Sequence, residues 1–147
     1  MLSEFSYPII CTKKFKQTVN FYEDYFNYVP ELEMPCFVVL KRQDWDNCYL
    51  AIIDANHHAI PEPYRRPISG MLLNYPVKDV EKAYDSFYLE GLNVVSEPVT
   101  SLCSKKHFFI EDPNGILIDI GENVKPLYDR NDLKRVEEKS FDEFCTA

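Results

Sequence analysis

Between Lys13 and Tyr28, apolar residues return at three- and four-residue steps: Phe15, Val19, Tyr22 and Phe26. That period is one face of a helix. A strand reads before it, from Glu4 to Thr12. After it come a short strand from Tyr28 to Glu33, the strongly strand-like run Cys36 to Arg42, and another strand from Cys48 to Asp54. A polar turn around Trp45 separates the last two, so the order is βαβββ. Residues 55–67 hold three prolines and no period, and read as a linker. The pattern then repeats: a strand from Ile68 to Val77, a helix from Lys78 to Glu90, and strands over Leu92–Val95, Lys105–Glu111 and Ile116–Gly121. Gly91 suits the residue just past the second helix. Asp129 to Phe144 mixes charges with a narrow apolar stripe and reads as a helix lying on the domain or on a partner. The expected division is a first module over 1–54, a linker over 55–67, a second module over 68–123 and a helical tail over 124–147.

The two modules align at a shift of 66 residues, which pairs Phe21-Tyr22 with Phe87-Tyr88, Asn27 with Asn93, and Asp46 with Asp112. No gap is needed on this reading. Repeats of this kind mean two units that close one core together. The most informative stretch is His107 to Ile120, two apolar strands joined by Asp112-Pro113-Asn114-Gly115. Asp, Pro, Asn and Gly fall in the order a type I turn prefers.

Composition narrows the function classes. The formal net charge of −8 disfavours nucleic acid, which selects basic surfaces. There is neither a membrane-length apolar run nor a signal-peptide pattern at Met1-Leu2-Ser3-Glu4, so a cytoplasmic protein is expected. The cysteines Cys11, Cys36, Cys48, Cys103 and Cys145 are widely spaced, without a C-x-x-C pair, and read as free thiols.

The paired modules, the segments Thr18-Val19-Asn20-Phe21-Tyr22 and Val77-Lys78-Asp79-Val80, and the run from Phe109 to Asp119 together carry a resemblance. The chain resembles the vicinal oxygen chelate superfamily of glyoxalases, bleomycin-resistance proteins and extradiol dioxygenases, over roughly residues 4 to 122. The resemblance implies an α+β fold in which two βαβββ modules form a curved eight-stranded mixed sheet around a cleft, and a homodimer. It also implies four metal-ligand positions, which fall on Ser6, Ile53, Leu72 and Asp119. Ile53 and Leu72 carry no donor atom, and Ser6 is a poor ligand for a catalytic ion. The expectation is therefore no cofactor and no metal, as in the ligand-sequestering branch.

The candidate ligand-binding residues are Asp119, His107, Phe109, Lys105, Lys41, Phe37 and Trp45. Alternation turns Asp119 to the face of Leu117 and Gly121, where an acid anchors a ligand group; a solvated or lysine-paired acid is the plainer reading. With His107 beside it, the pair could do acid–base work without a metal. Lys41 is the repeat mate of His107. Trp45 and Phe37 are candidates for an aromatic wall or for core. His57-His58 and Arg65-Arg66 read as surface residues. The expected partner is a small organic ligand, with neither nucleic acid nor membrane. Two other readings stay open: a diverged metal-dependent lyase, isomerase or dioxygenase, and a non-catalytic interaction domain.

Overall fold

A computed structural model describes residues 6–100 and 105–122. The first module runs β1 (Ile9–Thr12), α1 (Phe15–Phe26), β2 (Tyr28–Met34), β3 (Phe37–Arg42) and β4 (Tyr49–Asp54). A single 3-10 turn, Glu62–Tyr64, interrupts the proline-rich segment. The second module runs β5 (Leu72–Val77), α2 (Val80–Leu89), β6 (Asn93–Val94), β7 (Val99–Thr100), β8 (Lys106–Glu111) and β9 (Leu117–Glu122). The two-residue β7, paired with β8, adds a strand that hydrophobic patterning did not predict. The expected tail over 124–147 lies outside the described residues. Among the described residues, no helix is long and apolar enough to cross a membrane.

The α+β class and the two βαβββ modules stand. Hydrogen bonding groups the strands into two sheets, β1-β4-β3-β2 and β5-β9-β8-β6, with β7 alongside β8. In each, the first strand runs parallel to the last and the remaining pairs are antiparallel.

Local chemistry sets the helix ends. Asp79 caps α2 by accepting the Lys82 amide at 3.0 Å. Gly91 follows the helix at φ +77°, and the Leu92 amide reaches back to the Phe87 carbonyl, which closes the helix as expected. At α1 the stop is Asn27, at φ +55°. The Asp112–Gly115 turn forms as read: the Gly115 amide bonds the Asp112 carbonyl at 3.1 Å. Gly115 takes the left-handed conformation there, at φ +78°.

One core serves both modules. Ile10, Leu40, Leu50 and Ile52 of the first sheet cluster with Phe108, Ile110, Ile118 and Ile120 of the second, and with the inner faces of both helices. Phe26 of α1 packs on Tyr75 of β5 at 4.4 Å between ring centroids. Tyr22 donates its hydroxyl to the buried Asp112 at 2.9 Å, joining α1 to the β8–β9 turn. Asn114 in the same turn bonds Thr12 and Thr18 of the first module.

The gapless 66-residue shift does not hold. Ile10 lies opposite Ile52, 42 positions on, whereas Tyr75 lies opposite Ile120, 45 positions on. A uniform shift would also set the exposed Ile9 against the buried Tyr75, exchanging inside for outside. The identities that suggested the shift come mostly from the helix and the strand after it. Lys41 is consequently not the register mate of His107. Lys41 faces Tyr49 next to the hairpin turn, and His107 faces Gly121 far from its own turn.

Candidate functional site

Asp119 sits mid-strand on β9, between Asn74 of β5 and Phe109 of β8. Its neighbours Ile118 and Ile120 are fully buried in the core. Alternation therefore sends Asp119 to the opposite face of the sheet. His107, Phe109 and Lys105 approach the same spot from β8 and the residue before it. His107 Nδ1 lies 2.9 Å from Asp119 Oδ1, and Asn74 donates Nδ2–H to Oδ2 at 3.1 Å. Lys105 Nζ stands 3.6 Å from Oδ2. The side chains of Lys105, His107 and Asp119 are 15%, 17% and 22% exposed. They are thus withdrawn from bulk solvent yet reachable. Phe109 meets the His107 ring edge-on at 5.2 Å.

Gly121 makes this convergence possible. A Cβ there would run into Lys105 Cε and would lie 2.9 Å from His107 Cβ. The bare backbone leaves the path by which the lysine stem crosses to Asp119. Patterning missed Gly121 and Asn74. Asn74 was findable, being the one polar residue in the run Met71-Leu72-Leu73-Asn74-Tyr75.

The other candidates stand apart. Phe37 and Lys41 lie on β3, opposite Ile53 and Tyr49, and Lys41 Nζ sits 5.9 Å from the Tyr49 ring centroid. Trp45 packs over Arg42 in the β3–β4 turn. No contact among the described residues ties these three to Asp119. His57 and His58 stack on each other at 4.6 Å outside both sheets. Cys11, Cys36 and Cys48 are free thiols, and burial raises the Cys11 pKa. Cys103 and Cys145 lie outside the described residues.

The donor set does not fit a catalytic metal. Ile53 and Leu72 offer no ligand atom, Leu72 is 62% exposed, and Ser6 precedes β1. Asp119 is engaged by Lys105, His107 and Asn74, and an ammonium 3.6 Å away opposes a second cation. Among the described residues, no three His, Cys, Asp or Glu side chains come together as a metal-holding group.

Where the modules meet, a cleft of about 780 Å³ opens, lined in part by Phe26, Arg42, Trp45, Tyr75 and Phe87. Tyr28 and Tyr75 join hydroxyls at 3.0 Å behind it. Burial pushes the Tyr75 pKa up to about 12, with the Tyr28 bond and the nearby Arg42 holding it from rising further.

Comparison with known proteins agrees with this architecture. The family model described as Glyoxalase/Bleomycin resistance protein/Dioxygenase superfamily matches residues 4–120. No curated protein matches the chain. The lactoylglutathione lyase of Agrobacterium tumefaciens superposes with a TM-score of 0.64 at 19% identity, over 82% of this chain and 94% of that one. A glyoxalase/bleomycin resistance protein/dioxygenase from Nocardioides gives a TM-score of 0.66 at 16% identity, over 86% and 87%. The bleomycin resistance determinant encoded on transposon Tn5 gives a TM-score of 0.58 at 17% identity, over 84% and 100%. At such identities the likeness is one of fold. Taken with the match along most of its length, it places this chain in the glyoxalase/bleomycin resistance protein/dioxygenase superfamily.

Proposed function

We propose that the protein binds a small organic ligand on the Asp119 face of its second sheet, without a catalytic metal. The carrying observation is the convergence of Asp119, His107, Lys105 and Asn74 on a sheet face that backs an apolar core. Because the Lys105 ammonium already balances the carboxylate and His107 occupies its other oxygen, the site suits a polar or anionic group better than a cation. Lys105 supplies a charged donor, and His107 presents Nε2. Phe109 adds an apolar surface beside the imidazole. A homodimer and a cytoplasmic setting belong to the same proposal. The exposed apolar side chains of Ile9 and Leu72, on the first strand of each module, support the dimer.

A second reading rests on the 2.9 Å His107–Asp119 bond. If Nδ1 carries the proton that Asp119 accepts, Nε2 is the free base. An imidazole so oriented can take a proton from a bound carbonyl compound with no ion involved. Both readings are tested by a thermal-shift screen of small molecules against metal-stripped protein, with and without added divalent ions. Ligands that raise the melting temperature without an ion support metal-free binding. Stabilisation that appears only with the ion would return the protein to the metal-dependent branch. Turnover of a stabilising compound by stripped protein would favour the second reading.

A further inference from the structure

The cleft between the modules is distinct from the Asp119 face, and its chemistry is unusual for a packing seam. Arg42 is only 7% exposed. Its Nε and Nη2 donate to Asp44 Oδ1 and Oδ2 at 2.8 and 2.9 Å. The guanidinium carbon stands 5.1 Å from the Trp45 ring and 5.2 Å from the Tyr75 ring. Burying a guanidinium is costly, and a stability role would favour an apolar side chain of similar volume. Among the described residues, no acceptor engages its remaining N–H groups. Trp45 stays 44% exposed above it, a large ring left partly in water. The volume of about 780 Å³ lies within the roughly 300–1,000 Å³ of small-molecule sites.

We infer that this cleft, walled by Arg42, Trp45 and Tyr75, is a second ligand site, for a planar aromatic compound bearing an acceptor oxygen. Trp45 from the first module and the half-buried Phe87 from the second offer ring surface at the mouth, while Phe26 and Tyr75, packed on each other, form the floor. Arg42 directs specificity: the Trp45 and Tyr75 rings hold the guanidinium in place, and its free N–H edge receives a carbonyl or carboxylate. Asp44 neutralises most of its charge, so the site selects shape and an acceptor rather than net charge. Lys78 and Glu122 also line the cleft and offset one another, so the preference for a carboxylate over an ammonium rests on the Arg42 N–H edge.

The chain has a single tryptophan, so the Trp45 indole N–H gives one side-chain signal in an ¹⁵N-labelled sample. Three probes are titrated: 2-naphthoate, cyclohexanecarboxylate and 2-naphthylmethylammonium. The expected result is a saturable shift of the Trp45 signal with 2-naphthoate, about tenfold tighter than with either other probe. Trp45→Leu, a change at an exposed turn, should weaken 2-naphthoate about tenfold, read at the Lys78 amide. Arg42→Lys, which keeps the charge but not the plane, should weaken it similarly in protein shown to be folded. Equal affinities for the three probes, no saturation at millimolar probe, or shifts confined to Asp119 and His107 would overturn the inference.

Discussion

His107 Nδ1 and Asp119 Oδ1 meet at 2.9 Å across adjacent strands, one step off the directly opposed pair Phe109–Asp119. The bond is diagonal, and it exists because Gly121, the residue facing His107, has no side chain to intervene. Asp119→Asn should therefore keep the fold and lose the ion pair with Lys105. The expected stability loss is small, about 1 kcal/mol, because the groups are partly exposed. Ligand affinity should fall at least tenfold. Calorimetric unfolding alongside ligand titration separates the two effects.

Gly121→Ala should be costly out of proportion to one methyl group. The added carbon meets Lys105 and His107, and the loss expected from such overpacking is about 1–3 kcal/mol. Lys105→Ala in the Gly121→Ala background should recover part of it. A double-mutant cycle by chemical denaturation measures the coupling. Strict additivity would mean that the lysine stem does not cross Gly121.

Tyr22→Phe should destabilise the whole chain by about 2 kcal/mol. Asp112 is only 5% exposed, and on its Oδ2 the hydroxyl is the shorter of two bonds, the other coming from Asn114 Nδ2 at 3.1 Å. The Asn114 and Ile116 amides also donate to Asp112, which keeps the turn formed. Because the bond ties α1 to the second module, unfolding should remain a single transition. A new intermediate in denaturant would show that the modules unfold separately.

The turn, both helices and the module order were legible because each is written locally: helical period, Asp79 and Gly91 at the ends of α2, Asp-Pro-Asn-Gly at the hairpin. The face of Asp119 followed from period-two alternation alone. Register was not legible. The parallel pairing of β5 with β9 spans 45 residues, against 42 for β1 with β4, and no short motif encodes that difference. Gly121 was missed for this reason, since it acts through neighbours on another strand. Asn74 stands out as polar in its run, yet its pairing with Asp119 was illegible for the same reason. Arg42 was overlooked because a charged residue beside a polar turn reads as solvated. Tyr75, arriving from the other module, covers it together with Trp45.

Alkaline pH should unfold the protein through its buried tyrosines. Burial raises Tyr75 to about 12 and raises Tyr22 and Tyr28 further. An unfolded tyrosine titrates near 10. A folded pKa above the unfolded one gives stability that is complete below pH about 10 and lost as pH rises through about 12. Of the ten tyrosines, Tyr22 and Tyr28 should ionise only with unfolding. Tyrosinate absorbance and circular dichroism followed together check this. A full tyrosinate signal from folded protein would contradict it.

The central claim is metal-free ligand binding at Asp119, and the most direct measurement compares wild type with Asp119→Ala, His107→Ala in chelator. A hit from the screen, at about one hundred times its dissociation constant, should stabilise wild type by roughly 2.7 kcal/mol. For a domain of this size that is a shift of roughly 5 °C or more. The double variant should fold and show no shift with the same compound. An equal shift in the double variant would place the ligand elsewhere and contradict the account.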